Sequence, residues 1–443
     1  MTTAEPTGTG FPAKGRAKEA VLAQLNELSR GDADWRGGHL FGYVYHPGDE
    51  TSELVAEAHR IFVHTNALSV SAFPSLRKME SDLLAMTADL LHGPECVGSL
   101  TSGGTESILM TMLAAREWGM REGRPAPVEV IAPISAHPAF DKAAHYLGIK
   151  LVRTPVAADL RADVAAIRAA ITPSTVLLVG SAPGFPHGVI DPIGEIAALA
   201  QEKNLLCHVD ACLGGFMLPF VEKLGEPLPL FDFRVPGVTS MSADLHKYGY
   251  AAKGVSAVLY RTRELRRGQF FATTEWPGGV YASPTAAGAR GGAPIASAWA
   301  AIQSLGMEGF VSLAREAMAA TKTIQATIRA ETGLRLLGEP AMTVFAFTAD
   351  DADIFALGDA LDARGWHLDR QQHPPSLHLS VSPRHAGIAD EFALALKAAH
   401  KETQGLPPPD SGLAALYGMM GTISDRDSLK EFALSFLESQ DAT

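Results

Sequence analysis

The chain has 443 residues, 47% hydrophobic and 19% charged, which suits a globular enzyme of two or three domains with a large core and excludes fibrous and disordered classes. A formal charge of -12 and a pI of about 5.7 argue against nucleic acid as a partner, because nucleic-acid binders carry a basic stripe. The three cysteines, Cys96, Cys207 and Cys212, show no metal-ligand spacing, so no metal is expected and a reducing, cytoplasmic setting is.

The first eighteen residues are polar and lack the apolar stretch of a signal peptide. No run long and apolar enough for a transmembrane segment follows. Residues 19–29, EAVLAQLNELS, place apolar side chains at helical spacing and read as a packing face. From about residue 51 the pattern alternates. SELVAEAHRIFVH and SLRKMESDLLAMTADLLHG read as amphipathic helices, the second ended by Gly93.

Short apolar or β-branched runs then recur at 128–133, 149–156, 175–180 and 204–210, separated by helical stretches such as DVAAIRAAI and IGEIAALAQEK. That alternation predicts an α/β fold with a mostly parallel sheet covered on both faces, whose ligands sit at the carboxyl ends of the strands. Residues 293–332 predict a long helical connection. Beyond it, TVFAFTA, DIFALGDALDARG and SLHLSVS predict a smaller C-terminal α/β domain. The expected division is an N-terminal segment at 1–60, a large domain at 61–310 and a small domain at 311–443.

Several stretches carry chemistry. Thr101 to Ser107 reads TSGGTES before an apolar helix. Gly103, Gly104 and Thr105 there would let backbone N–H groups approach an anion at the positive end of the helix, although plain capping gives the same pattern. Asp210 closes a buried strand-like run, where a carboxylate is costly without a cation or strong donor. His208, two residues earlier, is expected to turn to the opposite side of that strand, and Cys207 and Cys212 to pack in the core. His137 either stacks on a ligand or caps its helix.

Thr239 to Gly254, TSMSADLHKYGYAAKG, sets Lys247 after His246 among small and hydroxyl residues. Low-charge surroundings would ease loss of its proton, and the neutral amine can bond covalently to an aldehyde cofactor. The candidate is pyridoxal 5'-phosphate, with Asp210 either facing the pyridine nitrogen or serving as a structural aspartate that satisfies a loop.

These stretches, together with SAHPAFDKAA at 135–144, FPHGVIDP at 185–192, HVDACLGGF at 208–216 and WPGGVYASPTAAGAR at 276–290, resemble the sphingosine-1-phosphate lyase family of fold type I pyridoxal-phosphate enzymes. The resemblance runs from about residue 35 to LYGM near 416 and implies a homodimer with shared active sites, in a bacterial-type form without a membrane helix. It implies that Lys247 is the covalent anchor, Asp210 the ring-nitrogen partner and His137 the ring-stacking residue. Gly103, Gly104, Thr105 and His246 would hold the cofactor phosphate, with Ser283 supplied by the partner subunit.

Lys253, Tyr45, Asn66, Ser69 and Arg290 would surround a small, phosphorylated amine substrate, though a structural ion pair suits Arg290 equally. Lys247 or Tyr250 would move protons. The implied reaction cleaves a phosphorylated sphingoid base to a long-chain aldehyde and phosphoethanolamine. The alternatives are an amino-acid decarboxylase, a lyase of smaller β-hydroxy amines, or a non-catalytic protein on the same fold. One departure matters: Ser69 and Val70 stand where the lyases have histidine and proline. Loss of a charge-assisted contact from such a histidine costs roughly 1.5–3 kcal/mol.

Overall fold

A computed structural model describes residues 11–440 with the exception of Val70, so the family's proline position lies outside the described residues. Seven strands form the main sheet: β1 (Val97–Thr101), β2 (Glu129–Pro133), β3 (Lys150–Thr154), β4 (Thr175–Ser181), β5 (Leu206–Asp210), β6 (Ser240–Ala243) and β7 (Ser256–Tyr260). Their order is β1-β7-β6-β5-β4-β2-β3. β2 through β6 pair in parallel, and β7 runs against both neighbours, β1 and β6. Reversal at β7 leaves β1 running with the parallel set, so the loops after β1, β2, β4, β5 and β6 and the loop entering β7 all emerge along one edge.

Helices cover both faces, and the central strands are buried along their whole length for that reason. Every residue of β4, TVLLVGS, is buried. Leu178, Cys207, Val209 and Met241 are packed with Ile193, Ile196 and Phe216 in one cluster. Val130, Val179 and Val258 face a second cluster built on Ile108, Met112 and Phe140 from the next helices. At about 25 cal/mol per Å² of apolar area removed from water, this two-sided burial contributes most of what holds the sheet together.

A hairpin of β8 (Phe271–Trp276) and β9 (Gly279–Ser283) projects from the large body, with Phe271, Trp276 and Val280 exposed. The helical run Gly292–Ala330 that follows is broken at Gly306 and crosses from one core to the other. Phe310, Ala317 and Met318 pack with the large sheet, whereas Ala320, Ile324 and Ile328 pack with the small one. That second sheet comprises β10 (Leu334–Leu336), β11 (Val344–Ala349), β12 (Asp369–Gln372) and β13 (Pro375–Ser380), in the order β10-β11-β13-β12 and antiparallel throughout. Phe41, from the beginning of the chain, is buried in the same small core.

The expected N-terminal packing face is not covered by the described residues of the chain. Helix Lys18–Leu28 has no buried residue, and Leu25 and Leu28 stand exposed. Among the described residues, no helix is long and apolar enough to cross a membrane.

Candidate active site

The loops at the shared strand edge enclose a cavity of about 670 Å³. The loop after β1 contributes Ser102 to Thr105, the loop after β2 His137, and the loop after β4 Pro183 and Phe185. Asp210 and Cys212 follow β5, and Asp244, His246, Lys247 and Lys253 lie between β6 and β7. Tyr43 and Tyr45 enter from the N-terminal segment, and Asp369 and Ser380 from the small sheet.

The glycine loop is held from below by a chain of hydroxyls. Thr101 Oγ1 lies 2.7 Å from Ser107 Oγ, which lies 2.9 Å from Ser256 Oγ, and Ser256 donates to the Ala243 carbonyl at 3.2 Å. Glu106 accepts the Ser102 N–H at 2.6 Å and the Ala287 N–H at 3.1 Å, tying the loop to the segment after the hairpin. An 18-residue helix starts at Gly104, so its unpaired N–H groups and positive end face the cavity. A Cβ at Gly104 would sit 2.7 Å from Cys212 Sγ and 2.9 Å from Asp244 Oδ2. No side chain fits there.

Asp210 is 8% exposed, and its Oδ1 accepts the Cys212 N–H and the Ser242 hydroxyl, each at 3.1 Å. His208 does not turn away from it. Residues two apart on a strand share a face, and His208 Nε2 lies 3.4 Å from the same Ser242 Oγ while Nδ1 lies 3.0 Å from Ser240 Oγ. Burial pulls the His208 imidazole down to about 4, so it is neutral behind the carboxylate. Cys212 is buried, as expected, and also borders the cavity.

Lys247 differs from its expectation in charge. Burial opposes its ammonium, but the Asp244 carboxylate at 2.9 Å outweighs burial and holds the Lys247 pKa above its ordinary value. Asp244 itself is 1% exposed with Oδ1 unpartnered. His246 Nδ1 accepts the N–H groups of Gly254 and Val255 at 3.3 and 3.2 Å, which leaves the proton on Nε2, 3.6 Å from Asp244 Oδ2.

Of the two expected roles, the structure shows the capping contact: His137 Nδ1 accepts the Ala139 N–H at 3.1 Å, and its ring lines the cavity. Lys253 lies 5.0 Å above the Tyr45 ring and donates to the His246 carbonyl at 3.2 Å. Burial, then the neighbouring Lys247 charge, lower the Lys253 pKa to about 8.

Five expected residues lie elsewhere in the single chain. Tyr250 is 4% exposed and stacked toward Phe310, with burial raising its pKa, so it is neither at the cavity nor acidic enough to give up a proton. Arg290 is committed to a two-point ion pair with Glu80 and to the Leu100 carbonyl, the structural alternative. Ser283 donates within its own turn to the carbonyls of Thr285 and Ala287. Asn66 accepts the Leu68 N–H, and Ser69 is bonded to Ser71 and Ala72.

The residues present fit pyridoxal 5'-phosphate. A helix N-terminus behind two glycines suits its phosphate, an aromatic face lies at His137, a carboxylate ends β5, and a lysine stands beside an incompletely satisfied buried aspartate. Sequence reasoning missed Asp244, Tyr43, Asp369 and Ser380. Asp244 had a signal, a carboxylate at a strand end three residues before the lysine; the others come from distant segments.

Residues 24–350 match the family model described as the pyridoxal-dependent decarboxylase conserved domain. The chain is 45% identical to a sphingosine-1-phosphate lyase of Arabidopsis thaliana over 441 residues, covering 97% of this chain and 80% of that one. It superposes on the structure of a Burkholderia pseudomallei sphingosine-1-phosphate lyase with a TM-score of 0.87 at 42% identity, covering 89% of this chain and 93% of that one. A glutamate decarboxylase of Lactobacillus brevis shares the fold at a TM-score of 0.80 and 18% identity, covering 91% and 97%.

Proposed function

Since the chain belongs to the sphingosine-1-phosphate lyases, within the pyridoxal-dependent decarboxylase family, we propose that its cavity performs the carbon–carbon cleavage of that family. The protein is a pyridoxal-phosphate-dependent lyase. It cleaves a phosphorylated sphingoid base to a long-chain aldehyde and phosphoethanolamine. The observation that carries the reading is the convergence of Lys247, Asp210, His137 and the Gly103–Gly104 helix start on one cavity that also holds Lys253.

Bound there, pyridoxal 5'-phosphate supplies an electron sink conjugated to the substrate amine. Lys247 is its covalent anchor, and Asp210 presents a buried carboxylate, oriented by Ser242 and the Cys212 N–H, to the ring nitrogen. Gly103, Gly104 and Thr105 offer the helix start to the cofactor phosphate, with His246 beside them. Lys253 and Tyr45 receive the substrate phosphate.

Cleavage breaks the bond between the amine-bearing and carbinol carbons. The hydroxyl proton leaves as the aldehyde forms, and the amine-bearing carbon takes up a proton in return. Lys247, held against Asp244 in the cavity, would carry that proton.

A homodimer belongs to this reading, with Ser283 of the partner subunit completing the cofactor site, and Asn66 and Ser69 belong to it as substrate-binding residues. Support comes from the exposed apolar hairpin that carries Ser283. A cytoplasmic location belongs to it as well, supported by three unpaired cysteines. The division at 1–60, 61–310 and 311–443 is retained, supported by the change of core along the long helix between Met318 and Ala320. Incubating cofactor-loaded protein with sphingosine 1-phosphate, beside Ser69→His, tests the reading through aldehyde release. Wild type at least equal to Ser69→His is expected if the serine is compatible with this substrate. No aldehyde from either protein would overturn it.

A further inference from the structure

Asp369 opens β12 and faces the cavity from the small sheet, whereas the next residue, Arg370, faces the other way. The strand repeat of two separates them: Arg370 Nη2 is bound at 2.7 Å by Asp359 and at 2.6 Å by Asp362. The small sheet therefore presents the substrate with an anion and turns its cation outward.

Burial raises the pKa of this carboxylate, and the Tyr43 hydrogen bond opposes that rise. Among the described residues its only ion-pair neighbour within 4.0 Å is His378 Nδ1, at 3.9 Å. His378 is fully buried and neutral, drawn down to about 4 by burial, with Nε2–H donated to the Phe185 carbonyl at 2.9 Å. The remaining contact is the Tyr43 hydroxyl, which donates to Asp369 Oδ1 across a separation of 326 residues. Tyr43 adopts φ 58°, a left-handed conformation unusual for a tyrosine, and such strain persists where the surroundings hold a side chain for use. Of the other cavity carboxylates, Asp244 is matched by Lys247 and Glu106 accepts the N–H groups of Ser102 and Ala287. Asp210 is assigned to the cofactor.

Tyr45 shares the cavity with Lys247, Asp244 and Asp369, and Lys253 lies over its ring. The cavity that holds Lys247 and Lys253 also holds Asp369, so a substrate with its amine at Lys247 and its phosphate at Lys253 shares that space with the Asp369 carboxylate. An amino alcohol offers a hydroxyl-bearing carbon there. An α-amino acid offers a carboxylate, which would meet a like charge in a partly dry cavity.

We propose that Asp369, held by Tyr43, is a specificity-determining residue that accepts a hydrogen bond from the hydroxyl of a phosphorylated amino alcohol and repels an α-carboxylate. This rests on the lyase reading above and deepens it. The same fold serves decarboxylation elsewhere, and a single carboxylate at the end of β12 disfavours that substrate class here.

Phosphoethanolamine and O-phosphoserine differ only by the α-carboxylate and so isolate the effect. Each is titrated into cofactor-loaded wild type, Asp369→Asn and Tyr43→Phe at mildly alkaline pH, and the change in cofactor absorbance is followed. Wild type is expected to bind phosphoethanolamine at least about tenfold tighter than O-phosphoserine, the scale of a like-charge clash. Asp369→Asn is expected to reduce that ratio by about tenfold, through tighter O-phosphoserine binding. Tyr43→Phe keeps the charge and is expected to keep the ratio.

An equal ratio in wild type and Asp369→Asn overturns the inference, as does loss of both ligands in Asp369→Asn, which would make the residue a support of the cavity. Aldehyde release from sphingosine 1-phosphate, measured on the same wild-type sample, separates the two levels. Release with an unchanged ratio sinks the inference alone, and no release sinks the lyase reading.

Discussion

Lys247 and Lys253 lie six residues apart on one loop and experience opposite electrostatics. Asp244 raises the first and burial lowers the second. Removing the Asp244 charge in Asp244→Asn should shift capture of pyridoxal 5'-phosphate by the cofactor-free protein to lower pH, read from the pH dependence of the capture rate. An unchanged profile would mean that the 2.9 Å pair does not control the amine. Lys253 binds a phosphate only while protonated. With its pKa near 8, KM for a phosphorylated substrate should rise as pH climbs through that value, and Lys253→Met should flatten the limb. Asp210→Asn should retain the cofactor while kcat falls by about 10²–10³-fold, the scale of losing one preorganised electrostatic contact. Asp210, His137, Lys247 and the glycines were legible in sequence because each follows a strand and each has a distinctive neighbour. Lys247's charge was not legible, since it depends on the direction in which Asp244 points.

At the scale of elements, two close approaches hold the site. Gly104→Ala drives a methyl toward Cys212 Sγ and Asp244 Oδ2. Overpacking of this kind costs about 1–3 kcal/mol. We expect weaker cofactor retention on dialysis, partly restored in Gly104→Ala/Cys212→Ala; full retention in the single variant would contradict the packing account. Gly188 joins the two bodies at φ 70°, where a Cβ would lie 1.8 Å from the Val344 carbonyl of β11. Gly188→Ala should lower Tm by several degrees and loosen Phe185 and the small-sheet wall together.

The parallel core was readable from its unbroken apolar runs, whereas short strands such as β6 and β12 were not. Ser240–Ala243 and Asp369–Gln372 are only four residues each and carry polar side chains, so neither period nor composition separates them from loop. Asp369 and Tyr43 therefore gave no local signal; their pairing exists only after the small sheet docks.

For the whole molecule, the uncovered apolar side chains of helix Lys18–Leu28 and of the β8–β9 hairpin account for the proposed dimer. Sedimentation should return about twice the 46.9 kDa chain mass. Val280→Asp on the hairpin should shift the equilibrium to monomer and release cofactor, and a monomer that keeps cofactor and activity would remove Ser283 of the partner subunit from the site. The bond that breaks distinguishes the two chemistries this fold serves, carbon–carbon cleavage and decarboxylation. Cofactor-loaded protein is therefore incubated with sphingosine 1-phosphate and, separately, with amino acids, using Lys247→Ala as the blank. Equal amounts of long-chain aldehyde and phosphoethanolamine, no carbon dioxide and a silent Lys247→Ala are the predicted result; carbon dioxide from an amino acid with no aldehyde from the lipid would contradict it.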